Sequence, residues 1–167
     1  IRGAVPGARV DGFVADLSSQ AEIRRFAAEV RALYPRLDVL VNNAGAIFDR
    51  YATTTDGIER TWALDHLAYL QLSLALLDHL KAGAPARIVN VASTAHRRGR
   101  IAFDDIGHAR RYSAIAAYSQ AKLGNVLFSA ALARRLAGTG VTSNALHPGV
   151  IASGFASETG GWFGLGW

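Results

Sequence analysis

Cysteine is absent from this chain, which excludes disulfides and thiolate chemistry and suits a reducing compartment, the cytoplasm. Methionine is absent too, the initiator included, so the chain reads as part of a longer polypeptide. No uninterrupted apolar stretch approaches the ~20 residues that span a bilayer. The opening Ile1-Arg2-Gly3-Ala4 is not a secretory signal. No membrane span is therefore expected. Acidic residues are outnumbered, 13 against 18 basic, and the net charge of +5 is scattered: the close arginine pairs are Arg24-Arg25, Arg97-Arg98, Arg110-Arg111 and Arg134-Arg135. Scattered charge argues against a nucleic-acid surface and accommodates an anionic cofactor equally well. His66, His96, His108 and His147 lack the spacing of a metal site, and none is expected.

Lysine is scarce as well, being only Lys81 and Lys122, and the second stands four residues after Tyr118 in Ala117-Tyr118-Ser119-Gln120-Ala121-Lys122. With five tyrosines and two lysines in 167 residues, chance supplies roughly 0.06 such pairs. On a helix both side chains leave one face a turn apart. A phenol titrates near ~10, and bringing it to ~7 takes about 4 kcal/mol. One ammonium ~4 Å away supplies about that much at an effective dielectric of ~20. The spacing thus suits an acid/base for a carbonyl/alcohol pair.

Half of the 167 residues are hydrophobic, enough for one core, so a single domain is expected over 1–167. Residues 9–15 read as a strand, Asp16-Leu17-Ser18-Ser19 as a turn with capping residues, and 20–34 as a helix ended by Pro35. Asp38-Val39-Leu40-Val41 is a short apolar run, the pattern of a strand buried on both faces, broken by Asn42-Asn43-Ala44-Gly45. Thr54-Thr55-Asp56 can cap a long helix to about Leu80, closed by Gly83 and Pro85. Residues 86–91 form the next buried strand, 93–111 a long polar connection, 113–137 a second long helix stopped by Gly138 and Gly140, and 141–146 a strand from which His147-Pro148-Gly149 turns away. Residues 151–167 read as a loop or the start of a lid, with Trp162, Phe163 and Trp167 either part of a substrate lid or disordered.

Strands alternating with helices imply an α/β fold, a doubly wound parallel sheet, here lacking its first strands. Ligands of such sheets lie beyond the carboxyl ends of the strands, where Asp16, Asn43 to Gly45, Ser93 and Pro148-Gly149 all fall.

Taken together, Asn42-Asn43-Ala44-Gly45 after one strand, Ser93 after the next, Tyr118-x-x-x-Lys122 on a helix and Pro148-Gly149 after a further strand resemble the short-chain dehydrogenase/reductase family. The resemblance covers nearly the whole chain. Arg-Ile-Val-Asn-Val-Ala-Ser, Tyr118 to Phe128 and His147-Pro148-Gly149-Val150 are most similar to the branch of retinol dehydrogenases and related bacterial oxidoreductases. It implies a Rossmann-like fold, NAD or NADP as cofactor, a small, apolar carbonyl or alcohol substrate, and a homodimer or homotetramer.

Residue by residue, the resemblance makes Tyr118 the catalytic acid/base, Lys122 its tuner and the ligand of the nicotinamide ribose, and Ser93 the hydroxyl that holds the substrate oxygen. Asp16, with Leu17 beside it, would meet the adenine. Asn43, Ala44 and Gly45 would pass the adenosine ribose, and Pro148, Gly149 and Val150 the nicotinamide end. The chain departs from the pattern where the family usually places an asparagine whose backbone carbonyl holds a relay water: here stands Asp65. A carboxylate beside Lys122 favours the charged amine and alters the pH profile. The glycine-rich pyrophosphate turn is missing, as are the family's last helix and strand. Two other readings therefore stand beside the oxidoreductase: a nucleotide-binding regulatory protein that has lost its chemistry, and an inactive fragment. Asp16 as a plain helix cap also remains open.

Overall fold

The computed structural model describes residues 3–5 and 7–149. Val150 and residues 151–167, with Trp162, Phe163 and Trp167, lie outside the described residues.

Helix α1 (Gln20–Leu33) opens on Ser19, whose side chain accepts from Glu22 N, and its first amide is also taken by a distant residue, Gln20 N donating to Asp56 Oδ2 at 2.8 Å. Ile23, Ala27 and Val30, three or four apart, turn one stripe into the core. Asp16 is not the cap. Its Oδ1 accepts from Ser18 N (2.8 Å) and Ser18 Oγ (2.7 Å), closing the turn ahead of the helix.

Among the described residues the sheet has three parallel strands in the order β1 (Val39–Asn42), β2 (Ala86–Val91), β3 (Val141–Leu146), with Asn42 level with Asn90 and Val91 with Leu146. Parallel neighbours joined through helices make this the expected Rossmann-like α/β architecture. Ala86 and Ile88 of β2 and Val141 of β3 join Leu72, Leu76, Leu80, Leu132 and Leu136 of the helices in one core. The apolar run of β1 is not buried on both faces. Val39 and Val41 are 55% and 58% exposed, because the helices that feed the core lie against the opposite face. Residues 9–15 form no strand. Among the described residues no strand of the sheet pairs with them, and the segment is held by side chains instead: Arg25 Nη2 donates to Val14 O at 2.7 Å, the Tyr34 hydroxyl donates to Asp11, and Phe13 is tilted on Phe26 at 5.5 Å.

The long helix expected from Thr54 begins later and is broken twice. Thr53 bridges Glu59, and Glu59 caps α2 (Arg60–Trp62) by accepting from Thr61 N and Trp62 N, both at 2.8 Å. A π-helical turn, Ala63–Leu67, follows, in which Ala68 N reaches back to Ala63 O. Helix α3 (Ala68–Ala75) then gives way at Leu76 to α4 (Leu77–Ala82). The extra residue in the π turn carries both Asp65 and His66 inward, and both are buried. Helix α5 (Ala114–Arg135), capped by Ser113, closes the unit against β2 and β3.

Polar side chains cross the core in a satisfied chain. Asn42 Nδ2 donates to Ser73 Oγ (2.9 Å) and to Asn90 Oδ1 (2.8 Å), and Asn90 Nδ2 to Ser129 Oγ (2.7 Å). This chain ties β1 to α3, β1 to β2 and β2 to α5, so the strand ends and helix faces that carry the site are locked together.

Candidate active site

All three strand exits line one rim. Asn42, the last residue of β1, leads into Asn43-Ala44-Gly45, and Ala92 N donates to Leu146 O at 2.8 Å, so the exit of β2 lies beside that of β3. Ser93 follows at once and caps a 3-10 turn, Thr94–Arg98, by accepting from Ala95 N. Ser113 accepts from Ala116 N and starts α5 so that Tyr118 and Lys122, one turn apart, face this rim.

The geometry joins four of the residues singled out above. Tyr118 is hydrogen-bonded to Ser93. The Lys122 ammonium lies 5.4 Å from the ring centre of Tyr118 and equally far from that of Tyr69, 3.4 Å from Val91 O and 3.4 Å from Asp65 Oδ2. Both ends of this ion pair are buried, Lys122 2% and Asp65 0% exposed. Asp65 is held from two further sides: its Oδ1 accepts from Ala46 N (2.9 Å), and its carbonyl accepts from Asn125 Nδ2 (2.8 Å). Gly45 lies flat against it, and a Cβ there would come within 3.2 Å of Oδ2.

Two expectations change here. The carbonyl of residue 65 accepts from the amide of Asn125, and it is the carboxylate that meets Lys122. Nor is Tyr118 made acidic: burial raises its pKa above the usual phenol value, the hydrogen bond from Ser93 lowers it, and the Asp65 carboxylate raises it again. Burial is the leading reason, and charge cancellation leaves little to offset it. A lysine paired with a buried carboxylate presents almost no net charge to a phenol further away. Asp65 itself is pushed up to about 6, chiefly by burial, with Lys122 pulling the other way.

This gives a prediction. Asp65→Asn removes the carboxylate charge that helps to raise Tyr118, so the pH at which alcohol oxidation reaches its plateau should fall. Below pH ~6 Asp65 is largely protonated, and there the two proteins should converge. Parallel pH–rate profiles check both halves.

The other predicted residues are spread along the rim and beyond it. Asn43 is exposed, and Pro148 and Gly149 are exposed after β3, Gly149 with φ +88°. Asp16 is exposed at the far end, where the Ser18 bonds and, less, the Arg60 charge hold its carboxyl below the usual range, and Leu17 packs against the core. Neither touches the Tyr118 cluster. Sequence reasoning missed Asn125, which donates to the Asp65 carbonyl and whose Oδ1 meets His66 Nδ1 at 2.9 Å. Its signal was present: it stands seven residues after Tyr118, on the same helical face.

A parallel sheet with a serine at one strand exit, facing a tyrosine and a buried lysine on the neighbouring helix, is the arrangement of a dinucleotide-dependent α/β fold. A family model described as short chain dehydrogenase matches residues 2–162, and the chain belongs to that family. It is 46% identical over 161 residues to retinol dehydrogenase 13 of Homo sapiens, covering 96% of this chain and 49% of that protein. The chain thus spans about half the length of the curated relatives it matches. A crystal structure of a putative uncharacterized protein from Mycobacterium paratuberculosis superposes with a TM-score of 0.74 at 40% identity, over 86% of this chain and 52% of that one. The Pseudomonas aeruginosa RhlG/NADP active-site complex does so with a TM-score of 0.67 at 30% identity, over 86% and 54%. Among the described residues no helix is long and apolar enough to cross a membrane.

Proposed function

We propose that this chain carries the catalytic half of an NAD(P)-dependent oxidoreductase that interconverts an alcohol and a carbonyl, with Tyr118 as acid/base. The observation that carries the reading is the Tyr118–Ser93 hydrogen bond at the mouth of a parallel sheet, backed by a buried ammonium. Two hydroxyls meeting at one point offer a carbonyl oxygen two donors, which stabilise the alkoxide character that develops there.

The donor set also fits a nicotinamide nucleotide. Lys122 has three N–H donors and, among the described residues, two oxygen contacts, each at 3.4 Å, which leaves capacity for sugar hydroxyls. Lys122 and Tyr118 would hold the ribose, Gly149 and Pro148 the nicotinamide end, and Asn43, Ala44 and Gly45 the adenosine side, toward Asp16. When bound, the cofactor supplies or accepts the hydride. The chain's own residues do the rest. Ser93 orients the oxygen, Tyr118 Oη delivers or removes its proton, and Lys122, its charge balanced by Asp65, holds the ribose beside Tyr118.

The names of the relatives favour a retinoid-like, apolar alcohol or aldehyde as substrate. Exposed Leu74 on α3 (50%) and Leu127 on α5 (52%) suit burial against a second copy, a homodimer or homotetramer. The lack of cysteine favours a reducing compartment, the cytoplasm. Ser93→Ala tests the site. At natural length, with NADH or NADPH and a panel of aldehydes including retinaldehyde, kcat should fall on the order of 10²–10³-fold, as when one such donor is lost. Turnover equal to the wild type would sink the assignment. The Asp65–Lys122 pair favours a second reading, a nucleotide-binding protein without chemistry. Nucleotide binding in titration with no turnover across the panel would select it.

A further inference from the structure

Between Ser93 and the catalytic helix runs a connection, residues 99–112, with no regular secondary structure. It is nonetheless fastened at three places. Gly99 lies so close to α5 that a Cβ there would stand 2.4 Å from Ser119 O and 2.9 Å from Leu123 Cβ. Further on, both amide atoms of Gln120 are spent on the connection: Oε1 accepts from Ala102 N at 2.8 Å, and Nε2 donates to Ile106 O at 2.7 Å. At the far end Tyr112 Oη donates to Phe48 O at 2.9 Å and shares a hydrogen bond with Thr61 Oγ1 at 3.2 Å.

Gln120 has no part in the proton chemistry. It leaves α5 roughly 200° around from Tyr118, away from the rim, and is 1% exposed. A buried amide costs free energy unless both of its ends are bonded, and an apolar residue would fill the same space without that cost. Its two bonds instead fix backbone at two points of a connection whose upstream end is Ser93. Gly99 N donates to His96 O and Ala95 N to Ser93 Oγ, so the few residues between clamp and serine are themselves hydrogen-bonded.

We propose that Gln120 is a positioning residue: with Gly99 it clamps the turn carrying Ser93 onto the helix carrying Tyr118, and so sets the distance at which the two hydroxyls meet a substrate oxygen. The proposal rests on the oxidoreductase reading above.

The test uses the protein at natural length and reads structure and kinetics separately. In Gln120→Leu, hydrogen exchange at Ala102 N should speed up on the order of tenfold or more as its acceptor is lost. Trypsin should cut sooner after Arg97, Arg98 and Arg100. The kcat for carbonyl reduction should fall on the order of 10–100-fold, the range that a misplacement near 1 Å produces, with KM for the nicotinamide nucleotide unchanged. Gln120→Glu, which keeps the acceptor for Ala102 N and loses the donor to Ile106 O, should recover part of both. Gly99→Ala approaches the same clamp from the loop side, and should reproduce the kinetic pattern even where the leucine variant folds poorly. Faster exchange with unchanged kcat would overturn the positioning role, as would unchanged exchange. A wild type that reduces nothing on the panel brings down the oxidoreductase reading and this proposal with it. An active wild type matched by Gln120→Leu and Gly99→Ala brings down the proposal alone.

Discussion

Tyr118→Phe should abolish turnover while leaving the fold intact. The substitution removes one oxygen and keeps the ring that Lys122 faces at 5.4 Å, so packing in α5 is conserved. What disappears is the hydroxyl that meets Ser93 and would pass a proton to or from a substrate oxygen. General acid–base catalysis contributes about 10²–10⁴-fold, and one of two oxyanion donors goes with it, so kcat should fall by at least ~10³-fold. Following nicotinamide absorbance with the best aldehyde of a panel measures this, and a thermal melt within a few degrees of the wild type shows that the loss is chemical. Undiminished turnover would remove Tyr118 from the mechanism.

Lys122→Met is expected to cost stability as well as activity. Breaking a buried ion pair by deleting one partner leaves the other charge uncompensated, which costs ~3–5 kcal/mol. Here that partner is Asp65, fully buried, whose carboxylate would keep Ala46 N as its donor among the described residues. The sign of the pH dependence follows from Asp65. Its folded pKa, about 6, already lies above the unfolded value, so the native state holds a proton that the unfolded chain has released, and stability falls as pH rises between the two. Without Lys122 the folded value rises further, because the charge that lowers it is gone. The deficit measured by urea unfolding should therefore be full at pH 8 and shrink to roughly 1–2 kcal/mol at pH 5, where the carboxyl is neutral. Asp65→Asn added to Lys122→Met should restore most of the loss at pH 8. A deficit independent of pH would mean that Asp65 is not the residue left stranded.

The elements most readable in advance were those whose causes are local. Strands 86–91 and 141–146 and helix α5 follow from an apolar run, a capping serine and the glycines that stop them, and the structure has the strands at those bounds. The start of the long helix was misread because its cap is a glutamate placed by a bridge between Thr53 and Glu59, and the favoured Thr54 sits inside the turn that makes the bridge. Residues 9–15 have the composition of a strand but no neighbouring strand among the described residues, and composition does not supply one.

The sequence by itself determined the residue types and their order: an α/β alternation, Ser93 after one strand, Tyr118 and Lys122 a turn apart on a capped helix, and an acid at position 65. Spacing along a helix is a property of the chain, so one residue's place fixes the other's. Only the tertiary structure decided the electrostatics. Whether Lys122 acidifies Tyr118 depends on what else lies within a few ångströms in a buried site, and that is set by a π turn 57 residues before Lys122 that rotates Asp65 onto its ammonium. In a low dielectric such a neighbour outweighs the spacing, because Coulomb energy depends on distance in space and on burial, and neither is written in the order of residues.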